Sequence, residues 1–187
     1  PRASEAKIEQ RYQDAIASLQ AQADAIAQRA GAAQANAMRD KLRLVQALEL
    51  ELADAGAVDA QAWTERWSAL PPLDAQYERS LQTRFAAALA AIGDGSAAYV
   101  ARLQASQPRL LEEVLRLEIV AGVDSGAEFA RDRLKMQVEV LQSSLKSGQK
   151  PLTQASQLMQ LCAIAALTDA RTASRIEALL RRIGGAQ

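Results

Sequence analysis

The chain contains no histidine, and Cys162 is its single cysteine in 187 residues. Without histidine there is no Ser-His or Cys-His nucleophile pair, no HExxH zinc helix and no ExxH di-iron bundle. One cysteine builds neither an intrachain disulfide nor a thiolate zinc site. No P-loop motif occurs. The glycine-rich run Gly93-Asp94-Gly95-Ser96 has no strand before it and reads as a helix-to-helix turn. Aromatic residues make up only 4% of the chain, and much of its 49% hydrophobic content is alanine. Alanine is the best helix former and buries little area, so long helices packed through thin seams are expected. Lys+Arg and Asp+Glu are 22 each, which leaves none of the basic excess of a dedicated nucleic-acid binder. No apolar run reaches the ~18 residues of a transmembrane helix. The start, Pro1-Arg2-Ala3-Ser4-Glu5, has neither an initiator methionine nor a signal-peptide pattern. More chain is therefore expected before residue 1. A reducing compartment fits the lone cysteine.

What is present is helical periodicity. Ile8, Tyr12, Ile16, Leu19, Ala23, Ile26, Ala30 and Ala33 recur at spacings of three and four, and Met38, Leu42, Val45, Leu48 and Leu52 continue the stripe. This is a narrow coiled-coil-like seam over residues 4 to 54. The small, polar stretch from Ala30 to Ala37 leaves two readings open, an antiparallel hairpin or one rod. Gly56 breaks the pattern. Asp59 is placed to cap a short helix carrying Trp63, Trp67 and Leu70, which Pro71-Pro72 stops. Asp74 is the expected cap of a helix with Leu73, Tyr77, Leu81, Phe85, Ala88 and Leu89, ending at Gly93. Ser96 caps the next expected helix, and Pro108 restarts another. Ser125 and Glu128 form a capping-box pattern after the turn at Gly122 to Gly126. Met136 to Val140 alternates like a strand but sits in a long helical context, so helix is expected. Gly148 is the expected stop of that helix and Pro151 the start of the following one. Thr168 is the expected cap of the last helix, closed by Gly184-Gly185.

The candidate functional residues each have a bland reading. Trp63 and Trp67, four residues apart, share a helix face. They read first as local core anchors, and more sharply as an interface hot spot. Cys162, on the stripe Ala155, Met159, Cys162, Ala166, reads as a small buried hydrophobe. The acidic groups Glu49, Glu51, Asp54 and Glu112, Glu113, Glu118, Asp124 read as solvated faces. Their alternative is paired acid–base or magnesium chemistry. Arg39, Lys41 and Arg43, then Arg131, Arg133 and Lys135, then Arg171, Arg175, Arg181 and Arg182 read as charged helix faces. Their alternative is a phosphate-tracking stripe.

The segment Trp67-Ser68-Ala69-Leu70-Pro71-Pro72-Leu73-Asp74 is followed by Tyr77-Glu78-Arg79, Leu81 and Arg84-Phe85-Ala86-Ala87-Ala88. It resembles the DUF349 repeat, a bacterial helical domain with a W-x-x-L-x-P start and an R-F-x-x-A continuation. Pro71 stands where the family usually has glycine. Leu115 to Ser125 and Arg133 to Leu141 resemble the region that follows the last repeat in longer members. The resemblance covers roughly residues 40 to 145. It implies a helical fold and a place near the C-terminus of a longer bacterial, cytoplasmic protein. The family's function is unknown, so it implies no mechanism.

The expected protein is all-α, with a helical arm over residues 1 to 56, hairpin or rod, and a helical bundle over residues 57 to 187. It is expected to be a non-enzymatic interaction or scaffold module, with no cofactor, no metal and no membrane partner. Its expected contact residues are Ile16, Leu19, Trp63, Trp67, Arg131, Arg133 and Lys135. The partner is a protein, or a second copy through the arm. The rival is an RNA- or ribosome-associated factor using arginine-lined faces, marked by salt-dependent RNA affinity.

Overall fold

The computed structural model describes residues 2–54, 56–147 and 153–184, with side chains for residues 5–54, 56–142 and 153–183. The expected stops and starts at Gly148, Pro151 and Gly185 lie outside the described residues. Among the described residues every regular element is helical: α1 Arg2–Ala53, α2 Ala60–Ser68, α3 Ala75–Ala90, α4 Ser96–Ala121, a 3-10 turn Ala127–Phe129, α5 Ala130–Ser147, α6 Gln154–Ala163 and α7 Ala170–Gly184. The chain is all-α, a long N-terminal helix followed by a bundle.

α1 is one rod of 52 residues, so the hairpin alternative is not the one adopted. Its rise is about 78 Å. The stretch from Ala30 to Ala37 is mostly alanine, which propagates a helix. Gly31 alone costs only about 1 kcal/mol relative to alanine. No proline is present to force a turn.

Burial changes abruptly along this rod. Ala37, Met38, Lys41, Leu42, Leu44, Val45, Leu48, Glu49 and Leu52 are buried. Ile8, Tyr12, Leu19 and Ile26 are 60–68% exposed. The expected division at residue 56 is thus corrected: the arm ends near residue 36, and the rest of α1 is the central helix of the bundle. α2, α3, α4 and α7 pack around it, and α6 closes the far side against α3, α4 and α7. Leu48, Leu81, Leu103, Leu161, Ile176, Leu179 and Leu180 are the largest fully buried apolar side chains at the centre. α5 packs only on α4 and the 3-10 turn, among the closer packings.

Local signals set most boundaries. Asp59 caps α2 by accepting from the backbone N–H groups of Gln61 and Ala62. Gly93 (φ 92°) and Gly122 (φ 67°) take left-handed conformations after α3 and α4. Residues 136 to 140 are helical, as their context implied.

Other expected caps are replaced by neighbours. Asp74 makes no side-chain cap bond. Instead the Leu73 N–H donates to Glu78 Oε2 at 2.9 Å. Ser96 is the first residue of α4, and Gly95 stands in the cap position. The Ser125–Glu128 capping box does not form: Gly126 stands in the cap position of the 3-10 turn, and Ser125 Oγ accepts from Arg133 Nη1 at 2.6 Å. Asp169 rather than Thr168 caps α7, accepting from the Thr172 N–H at 2.7 Å. That bond holds the Asp169 carboxyl below its ordinary pKa.

Pro108 does not begin a helix; α4 runs through it. An interior proline costs about 3 kcal/mol. Here Leu103, Leu110 and Val114 on either side are all buried, and their packing holds the helix together. The extended segment 164 to 169 lies against this point. Its Leu167 N–H donates to the Leu103 carbonyl at 3.4 Å, and Gln107 Nε2 donates to the Leu167 carbonyl at 3.2 Å.

Candidate functional site

The arm is the largest feature that the bundle does not use. Over residues 5 to 36 the stripe Ile8, Tyr12, Leu19 and Ile26 faces outward, and Ile16 is half-buried. These residues fall within about 40° of one line along the helix at 100° per residue. Continued toward the C-terminus, the same line meets Ala37, Lys41, Leu44 and Leu48, all buried. One apolar face is therefore covered by the bundle at one end and bare at the other. Between Ala15 and Ala23 the sequence carries no charge. Of the expected contact residues, Ile16 and Leu19 lie here.

Trp63 and Trp67 lie elsewhere, in the core, with Trp63 4% and Trp67 9% exposed. Trp67 stacks on Phe85 with centroids 4.6 Å apart, and Lys41 Nζ sits 4.4 Å above its ring. Lys41 also pairs with Glu78. Arg66 covers Trp63 at 4.0 Å. These are core anchors, and the hot-spot reading does not fit their burial.

The basic residues divide. Arg131 and Lys135 are exposed on α5. Arg133 is turned inward, donating to the Val123 carbonyl at 2.8 Å as well as to Ser125. Arg175 grips the fully buried Glu118 through two bonds, 2.8 and 2.7 Å, and lies 4.1 Å over Phe129. Arg171 pairs with Glu128, and Arg43 with Glu177. The Arg43 contact holds the Glu177 carboxyl below its ordinary pKa. Lys135 borders a groove of about 450 Å³ between α4 and α5, lined also by Leu111, Leu115, Phe129 and Met136. Glu112, Asp132 and Glu139 also line it, so the groove is acidic rather than basic.

The arrangement that the sequence did not reveal is a buried ion pair. Glu49 on α1 and Arg84 on α3 meet through 2.8 and 2.7 Å bonds, with side chains 1% and 3% exposed. Tyr99 Oη donates to Glu49 Oε1 at 3.2 Å, and Arg84 Nη1 donates to the Cys162 carbonyl at 2.8 Å. Burial foremost, with Glu49 beside it, pushes the Tyr99 hydroxyl far up, so it stays a donor. Glu49 and Glu118 are therefore not on solvated faces, as their sequence neighbourhoods suggested. Each has its ion-pair partner 35 and 57 residues away, a distance no local pattern reports.

Cys162 is 1% exposed, and burial pushes its thiol up to about 12. Thiol labelling at neutral pH should run on the order of 10²–10³-fold slower in the native protein than in denaturant. Equal rates would show that the cysteine is accessible.

No protein family, no curated protein and no solved structure matches this chain.

Proposed function

We propose that this protein is a non-enzymatic helical interaction module whose arm, residues 5 to 36, docks against another polypeptide. The observation that carries the reading is the bare half of α1. Isolated helices are marginal in water, and most helical stability in proteins comes from packing an apolar face. A contiguous apolar stripe on a projecting helix marks an interface. The stripe's continuation is already packed inside the bundle, so the exposed part is the same kind of surface without its cover. The DUF349-like reading of residues 40 to 145, and with it a bacterial cytoplasmic setting, belongs to the same proposal. Trp67, Leu81, Phe85 and Ala88, which carry the resemblance, are buried packing residues. No helix among the described residues is long and apolar enough to cross a membrane.

The rival, an RNA-binding arginine face, has less support. Arg84, Arg133, Arg171 and Arg175 are engaged by acceptors within the chain. Arg131 and Lys135 remain at the surface beside Asp132 and Glu139.

The test is capture of protein partners from a bacterial lysate by the immobilised chain. The double variant Ile16→Asp/Leu19→Asp should lose at least ~90% of the recovered partner, since two charges in a seam cost several kcal/mol. Retention of the same partners would make the arm a scaffold and place the binding surface in residues 63 to 183. Salt-sensitive RNA recovered instead of protein would favour the rival.

A further inference from the structure

We propose that the groove between α4 and α5 is a docking site separate from the arm, and that its occupant is a basic amphipathic helix of another protein. The proposal does not rest on the reading of the arm. Three observations carry it.

The first is an apolar surface outside the core. Leu111, Glu112 and Leu115 recur at spacings of three and four on α4, and Asp132, Lys135, Met136 and Glu139 do so on α5. Each set therefore shares one side of its helix, and Phe129 of the 3-10 turn adds an aromatic ring to the lining. Leu115 and Met136 are buried, yet neither belongs to the central core cluster. Leu111, which lines the same groove, is 42% exposed. Apolar surface gathered in a groove and rimmed by polar groups marks an interaction site.

The second is charge. The whole chain balances its charges, 22 against 22, but this groove does not. Glu112, Asp132 and Glu139 line it against the single ammonium of Lys135. Glu112 is shared with Arg116 in an exposed pair at 2.7 Å, a weak contact. Asp132, Lys135 and Glu139 make no ion pair among the described residues. Arg131 and Arg133, also on α5, do not line the groove. Arg171 and Arg175, near Phe129, are already held by Glu128 and Glu118. A cleft lined by one sign of charge attracts the other, so the occupant carries Lys or Arg on its flanks.

The third is the placement of polar and apolar groups. Glu112, Asp132, Lys135 and Glu139 are all exposed. A small-molecule cleft aims a few placed polar groups at a ligand that it largely buries. An apolar centre with a charged, solvated rim is instead the anatomy of a polypeptide interface. Asp132 to Glu139 spans about 10 Å of α5, close to two turns. A helix laid along the groove presents apolar side chains one turn apart to Leu111, Leu115 and Met136, with its cations at the acidic rim.

The experiment uses the purified full chain and a fluorescein-labelled, amidated peptide of about 15 residues. The peptide is built of alanine and lysine, with two leucines one turn apart. Fluorescence anisotropy should give a dissociation constant on the order of 100 µM at low salt, weak because the probe is generic. Leu111→Ser should weaken binding about 10-fold, since it removes an apolar anchor. Asp132→Lys/Glu139→Lys should weaken it at least ~10-fold and should bind the matching peptide with glutamate in place of lysine. All three side chains are exposed, so both variants should keep the helical circular dichroism. No binding at ~1 mM peptide overturns the proposal. Binding that falls with the charge reversal but survives Leu111→Ser is attraction to surface charge alone and overturns it too. Self-association of the chain that is lost in Leu111→Ser would make a second copy the occupant and also overturn it. The arm variant Ile16→Asp/Leu19→Asp should bind the peptide as the unaltered chain does, so the two docking readings fail independently.

Discussion

Replacing Arg84 with alanine should cost the bundle about 3–5 kcal/mol, because it strands a buried carboxylate. Glu49 would lose both guanidinium bonds and keep only the Tyr99 hydroxyl, at a site where its side chain is 1% exposed. The Cys162 carbonyl would lose its donor as well. For a chain of this length the loss corresponds to a fall in thermal midpoint of about 6–20 °C. The double variant Glu49→Leu/Arg84→Met should recover most of that, since an apolar pair of similar volume leaves no buried charge. Chemical denaturation of the three variants measures both effects. A loss below ~1 kcal/mol for Arg84→Ala would mean that water reaches the pair.

Trp67→Ala should be as damaging, about 3–5 kcal/mol for a buried aromatic reduced to alanine. The substitution removes the ring stacked on Phe85 and the surface beneath the Lys41 ammonium. Lys41 is 2% exposed, so its charge would be left with Glu78 alone. Trp67→Phe keeps an aromatic face against Phe85 and should cost clearly less. Denaturant midpoints report the difference. If Trp67→Ala left stability unchanged, the ring would not be the anchor its burial indicates.

Periodicity and punctuation made the helices legible. The Trp63–Trp67 spacing with Asp59 before it, and the glycines at 93 and 122, act within one or two turns and can be read from the chain alone. Caps were harder to assign where several polar side chains stand within a turn of one helix start. At α3 Glu78 binds the Leu73 N–H while Asp74 holds the cap position without a side-chain bond, and at α7 Asp169 caps in place of Thr168. Pro108 misled because the packing of Leu103, Leu110 and Val114 outweighs the broken hydrogen-bond ladder. For the arm, the stripe was visible, but whether it was covered was not. Helix propensity between Ala30 and Ala37 is the same in a rod and in each half of a hairpin, so only the third dimension separates them. The ion pairs of Glu49 and Glu118 were invisible for a related reason: their partners are set by how helices cross, not by spacing.

The position of α7 sets when this chain can fold. The buried half of α1 and the buried face of α7 are neighbours, although roughly 130 residues of sequence lie between Gln46 and Ile176. Ile176, Leu179, Leu180 and Ile183 follow the other buried core residues of the bundle along the chain. Until they leave the ribosome, the side of α1 that they cover stays open, and Glu118 lacks Arg175. Domains of this kind pay loop-closure entropy before their long-range contacts form, so completion of the bundle waits for α7 rather than proceeding helix by helix. A chain synthesised only as far as α6 therefore carries an unfinished apolar surface, and α7 acts as the element that closes it.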